Sequence, residues 1–243
     1  INAEIPEDIA KHFVYPEYLY SIQADVLKQY HQVQPEVLFR SDDVWNTAKE
    51  NTSKVTTLVG TDIKPYYTAV KTVDNSKTIL GLVLPYTINE KQNINAYLVG
   101  SYDGNGKKTL KLYKFNKDTA ILGTLQLDTL VEQDEKISAE LKSIEVTGTK
   151  IEKNIIVIPV NNTLLYVEPI FQVLQNENKT APILKKVIVA SGNKVAIGDT
   201  LEKALVNLLS QEAVSIKIET DNIDDLIEEI IKANNNLTGS NKS

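Results

Sequence analysis

AYLVGSYDGNGKKTLKLYKF, residues 96–115, is the stretch that decides the fold. Two β-forming runs, residues 96–102 and 109–115, flank Asp103-Gly104-Asn105-Gly106. The D-G and N-G pairs tolerate the positive φ angles of tight hairpin turns, so the two runs are expected to fold back on each other. The same grammar recurs on either side. Residues 67–73 and 78–84 are rich in β-formers around Asp74-Asn75-Ser76, and residues 155–160 and 164–167 flank Asn161-Asn162-Thr163. Residues 185–190 read as a further strand and 194–197 as a short one. Strands joined by such short turns pair antiparallel, because parallel neighbours need long crossovers. The predicted class is α+β: an antiparallel or mixed sheet built from hairpins, with an N-terminal helical segment and helices packed on the sheet.

Helical spacing appears before and between these strands. Residues 6–13, 16–31 and 35–39 each begin with a helix-opening proline, and Ser41 is placed to cap a helix running to Lys49. In residues 16–31, Leu19, Ile22, Val26 and Tyr30 fall on one face, the face expected to lie on the core. Leu130, Ile137, Leu141 and Ile144 mark residues 128–144 as one helix, and Thr200 caps another. This divides the chain into an N-terminal helical segment (1–53), a sheet domain (54–210) and a C-terminal part (211–243). The last holds an edge strand at 214–218 and a helix at 223–233, followed by a polar tail. The apolar stripe of that helix, Ile223, Leu226, Ile227, Ile230 and Ile231, is expected to dock on its own domain or on a neighbouring chain.

Composition narrows the function. With 243 residues and 42% hydrophobic content the chain can bury one large or two small cores. The net charge is −6 and the lysines are scattered, so no basic stripe exists to neutralise phosphates and nucleic acid is not an expected partner. No run of apolar residues approaches eighteen, the length a bilayer-spanning helix needs. The absence of cysteine removes thiol nucleophiles, disulfides and cysteine-ligated zinc, and it fits an exported domain. The two histidines, His12 and His31, lack metal-ligand spacing. Neither a phosphate loop nor a G-x-S-x-G elbow is present. Lys107, Lys108 and Lys111 crowd the Asp103-Gly104-Asn105 segment that superficially looks like a calcium loop. No catalytic residue, metal or cofactor is therefore expected.

Four residues remain as ligand or interface candidates. Glu168 interrupts the apolar run Leu164-Leu165-Tyr166-Val167. It reads either as a strand residue facing solvent or pairing with a lysine, or as a buried acid with a raised pKa. Tyr66, Tyr67 and Tyr97 stand with Tyr102 and Tyr113 in the strand region, as sheet packing or as the lining of a groove for a sugar or peptide.

Five ordered blocks resemble the soluble C-terminal region of uncharacterised protein family 0182. Residues 15–31 carry Y-P-E-x-L-x-x-x-Q-x-x-V-x-x-x-Y-H, and residues 82–87 carry L-V-L-P-Y-T. Ala96-Tyr97-Leu98 is followed by Ser101, Asp103 and Gly104. Residues 164–169 carry L-L-Y-V-E-P, and residues 186–196 carry K-V-I-V-A-x-G-x-x-V-A. Asp43 and Trp45 match a D-x-W element, although the basic residue near it, Arg40, is offset by one. The resemblance implies a large bacterial multi-pass membrane protein with its membrane helices upstream of Ile1. This chain would then be an extracytoplasmic module at the cell membrane, with a structural or interaction role. Its implied partners are the membrane-embedded part of the same polypeptide or another copy. A small-molecule, sugar or peptide-binding domain serving the membrane region is the alternative, and a carboxylate-based hydrolase ranks below it.

Overall fold

The computed structural model describes residues 6–10, 12–41, 43–53, 60–71, 78–88, 91–102, 107–116, 121–160, 163–174 and 181–211. Two compact units emerge, Ile1–Lys49 with Asp62–Thr124, and Glu50–Thr61 with Leu125–Ser243. Each holds one five-stranded sheet, from strands between residues 45 and 114 in the first and between 149 and 198 in the second. The division at residues 53 and 210 expected from sequence put both sheets in one domain. The edge strand, apolar-striped helix and polar tail expected after residue 211 lie outside the described residues, as do the turn residues 74–76, 103–106 and 161–162.

The first unit opens with α1 (Glu7–Ala10), α2 (Glu17–Tyr30) and α3 (Pro35–Arg40), then β1 (Trp45–Thr47). A small ladder joins β2 (Lys49–Glu50) to β3 (Thr61–Asp62). The main sheet adds β4 (Tyr66–Val70), β5 (Ile79–Ile88), β6 (Ile94–Tyr102) and β7 (Lys108–Lys114). Its order is β1-β5-β6-β7, with β4 also on β5, and every pairing is antiparallel. The hairpin pairings read from sequence, β4 with β5 and β6 with β7, are present.

Three tyrosine hydroxyls tie α2 and the segment before it to this sheet. Tyr20 donates to the Leu98 carbonyl at 2.8 Å, Tyr86 to that of Ala24 at 3.0 Å, and Tyr67 to that of Tyr15 at 2.6 Å. Gly100 provides the flat spot beneath the helix: a Cβ there would meet the Tyr20 and Tyr15 rings at 2.8 and 2.9 Å. This docking corrects the expected orientation of α2. Tyr20 and Ala24 are buried, whereas Leu19, Ile22, Val26 and Tyr30 point outward. The helix is apolar on two opposite faces, so periodicity alone does not choose between them. The helix expected at residues 41–49 is also absent. Ser41 instead ends α3 in the left-handed region (φ 58°), and Trp45 and Thr47 alternate inward along β1 against Ile88 and Tyr86.

The second unit contains α4 (Thr124–Gln133), α5 (Glu135–Ile144), β8 (Thr149–Lys153), β9 (Ile156–Val160), β10 (Thr163–Leu174), β11 (Ile183–Ser191), β12 (Lys194–Gly198) and α6 (Leu201–Ser210). The single helix expected at 128–144 is two helices. Asp134 breaks it by capping α5, accepting a hydrogen bond from the Ile137 N–H at 2.9 Å. The sheet order is β12-β11-β10-β8 and all pairings are antiparallel. β11 runs along one edge of β10, while β9 and β8 share the other.

α6 covers one face of this sheet, packing Ala204, Leu205, Leu208 and Leu209 against Leu165, Val167, Val189 and Ala196. Three links tie α4 and α5 to residues of the other face. Asp128 meets Lys153, Glu140 meets Lys186 at 2.7 Å, and the Gln172 side chain donates to the Ile144 carbonyl at 2.6 Å. The class is α+β, as the sequence implied.

Candidate functional site

A lysine–carboxylate cluster lies inside the second unit. Glu168 sits mid-strand on β10, opposite Ile188 on β11. The alternation that sends Leu165 and Val167 toward α6 sends Glu168 to the other face, beside Tyr166 and Ile170. Lys153 ends β8 opposite Ile170, so it projects to the same face. Its ammonium bonds Asp128 on α4 and lies 3.1 Å from the Glu168 Oε1. The Asn51 amide donates to the second Asp128 oxygen at 2.7 Å. Glu50 accepts from the Ile155 N–H at 2.8 Å, and the Lys153 N–H donates to the Thr52 carbonyl at 3.0 Å. Four separate stretches of chain thus meet here: residues 50–53, α4, β8 and β10.

Burial governs the electrostatics. The side chains of Lys153, Asp128 and Glu168 are only 8%, 4% and 3% exposed. Burial pushes the Glu168 carboxyl up to about 7; Lys153 pulls against this, and Asp128 and Glu50 add to it. Burial also raises Glu50, against the pull of its bond from Ile155. For Lys153 burial acts downward, but Glu168 and Asp128 outweigh it and hold the ammonium above the ordinary lysine value. One cation therefore faces several carboxylates, and Glu168 is the member that holds a proton near neutrality. Its Oε2 is buried without a hydrogen-bond partner among the described residues. Chemically, the cluster can hold and release a proton while fastening the unit together. Lys153 also borders an open cleft of about 700 Å³, lined by Thr52, Ser53, Lys150, Glu152 and Phe171 among others.

A smaller constellation occupies the first unit. The His31 ring stacks on Trp45 with centroids 3.6 Å apart. Its Nδ1 lies 2.9 Å from the Leu27 carbonyl, which can only accept, so Nδ1 carries a proton. Its Nε2 faces an Asp43 oxygen at 3.5 Å, while the other oxygen of Asp43 accepts from the Trp45 indole at 3.2 Å. Lys114 sits over the same indole, 5.1 Å from the ring centroid.

The candidates read from sequence do not converge. Tyr67 is 40% exposed and bonded to the Tyr15 carbonyl, Tyr66 is half-buried, and Tyr97 is buried against the Tyr113 ring at 4.9 Å. Strand register puts Tyr66 and Tyr97 on one face of the sheet and Tyr67 on the other. Glu168 belongs to the other unit. Lys153, Asp128 and Asn51 were not singled out by sequence reasoning. The available signal was Glu168 itself, since an acid in a buried strand requires a partner.

The family model for uncharacterised protein family UPF0182 matches residues 2–144. The chain belongs to this family. Curated UPF0182 proteins of Caldicellulosiruptor saccharolyticus, Desulforamulus reducens and Pelotomaculum thermopropionicum are each 34% identical to it, over 89%, 87% and 86% of the chain. The aligned regions are only 24%, 22% and 22% of those relatives, so the chain spans about a quarter of their length. No solved structure matches it. Among the described residues no helix is long and apolar enough to cross a membrane.

Proposed function

We propose that this UPF0182 chain is a structural or interaction module of a larger membrane protein, held at the cell membrane on its extracytoplasmic side. The outward apolar face of α2 carries this reading, because a surface helix normally presents its polar side to water. The membrane-embedded part of the same polypeptide is the favoured partner. The lack of cysteine and the greater length of the relatives support it. Glu36 on α3 is exposed, which makes Glu36→Cys a reporter of sidedness in the full-length protein. A membrane-impermeant maleimide is expected to label that variant, above the parent protein, on intact cells. Labelling only after permeabilisation would place the module inside and overturn the reading.

The cleft beside Lys153 favours a second reading, a domain that binds a sugar or short peptide against Phe171 and the paired charges of Lys150 and Glu152. A ligand at a hundred times its Kd stabilises the native state by about 2.7 kcal/mol. A thermal-shift screen is then expected to find a sugar or peptide that raises the Tm by several degrees, and to lose that shift in Phe171→Ala. No shift at millimolar ligand would remove this reading.

A further inference from the structure

We infer, independently of either functional reading, that residues 50–53 form a proton-controlled latch over the buried cluster of the second unit. The latch lies closed while Glu168 holds a proton and opens far more readily once Glu168 is ionised. Glu50, Asn51, Thr52 and Ser53 bring no large apolar side chain to the wall they form. The links that hold them are polar. The Asn51 amide donates to Asp128 at 2.7 Å, and Glu50 accepts from the Ile155 N–H at 2.8 Å. The Thr52 carbonyl accepts from the Lys153 N–H at 3.0 Å, and Ser53 bridges to Glu152. The other walls are fastened by strand pairing and by the core. β10 is paired along both edges, and α4 buries Leu127 and Val131. A segment held by a few polar links, with no buried apolar anchor, is the first to open locally. Thr52 and Ser53 also line the open cleft beside Lys153, which gives water its way in.

One proton decides the charge balance. The Lys153 ammonium bonds Asp128 and lies 3.1 Å from the Glu168 Oε1, so the proton of a neutral Glu168 sits on Oε2. Ionisation leaves Oε2 charged, buried and without a hydrogen-bond partner among the described residues, and it sets two carboxylates against a single cation. Water reaching Oε2 relieves both, and the latch is the wall that yields at least cost. The groups that face Glu168 are Lys153 from β8, Asp128 from α4 and Glu50 from the latch itself, with Tyr166 beside it on β10. Lys186 of β11 lies on the same face, but Glu140 of α5 and Asp199 engage it at 2.7 and 2.9 Å. Glu50 thus adds repulsion to the segment that opens. Burial holds the Glu168 carboxyl up at about 7, which puts the change near neutrality.

The test is native-state hydrogen exchange of the 243-residue chain, read at the amides of Lys153 and Ile155, whose acceptors are Thr52 and Glu50. Rates are corrected for the intrinsic rise of exchange with pH. The opening constant at these two amides is expected to rise by roughly one to two powers of ten between pH 5 and 8. The rise is steepest below pH 7 and levels off above it, because the closed latch binds a proton that the open form sheds. Low urea should leave this exchange unchanged, since a local opening exposes little surface. Val187 and Val189 in β11 should exchange more slowly and with a urea dependence. Glu168→Gln, neutral at every pH, is expected to keep the pH 5 opening constant through pH 8. An opening constant in the parent that stays flat with pH would overturn the latch. So would exchange of Lys153 and Ile155 only together with Val187 and Val189. Both of these are read from the parent chain alone. A slope that survives in Glu168→Gln would equally overturn it, by assigning the proton to another group.

Discussion

Lys153→Met is expected to destabilise the second unit by about 3–5 kcal/mol at neutral pH, the range for removing one partner of a buried ion pair. The methionine keeps the length of the side chain, so the loss reports charge rather than volume. Without the ammonium, the Asp128 and Glu168 side chains, only 4% and 3% exposed, face each other with no cation between them. Urea denaturation measures the effect directly. The loss should shrink toward pH 5, because protonating Glu168 removes one of the charges that Lys153 balanced. A loss below about 1 kcal/mol at pH 7, of the size seen for exposed pairs, would mean that water reaches the cluster and that the burial argument fails.

Glu168→Gln is expected to abolish a pH dependence. The folded-state pKa of Glu168 is raised from 4.5 to about 7, so between those values the folded chain binds more protons than the unfolded one. The stability linked to this group is therefore complete below pH 4.5 and is lost as pH rises through 7. A shift of this size corresponds to about 3 kcal/mol. Glu50 shifts in the same direction, whereas the exposed Asp199 and Glu202 are lowered and act in the opposite sense. The diagnostic quantity is thus the difference between parent and variant. Glutamine, which cannot ionise, should gain on the parent from pH 5 to about 7 and level off above it. A difference that stays flat across that range would show that Glu168 does not titrate there.

What could be read from the sequence was what local chemistry writes. The strands on either side of the D-G-N-G and N-N-T segments pair as expected, because a hairpin is specified by a few consecutive residues. Trp45–Thr47 was misread because a three-residue strand has no period to detect and its partners lie at residues 86–88. The buried side of α2 was misassigned because both sides are apolar. The choice is made by Gly100 and by tyrosine hydroxyls on strands distant in sequence. Asp134 was overlooked because the apolar spacing of Leu130, Ile137 and Ile144 continues across the break it creates. The candidate site was legible only at Glu168, an acid in an apolar run. Its companions are set by topology: Lys153 meets Asp128 across 25 positions, and Asn51 meets Asp128 across 77.

The hydrogen bond from Ile155 to Glu50 spans 105 positions. Closing a flexible loop of that length costs about 4 kcal/mol of chain entropy beyond a constant. The interposed residues reduce this cost if they fold first. β2 pairs with β3, and the Thr124 hydroxyl bonds the Lys49 carbonyl at 2.5 Å. Lys49, Asp62 and Thr124, the three points where the chain leaves or re-enters the first unit, are thereby gathered at one place. Once it has formed, Glu50 and Asn51 emerge beside the start of the helix that bears Asp128, and the 105-residue loop behaves as a short one. Glu50, Asn51 and Asp128 all precede Lys153 in the chain, and Glu168, the last member of the cluster, is added when β10 pairs with β8.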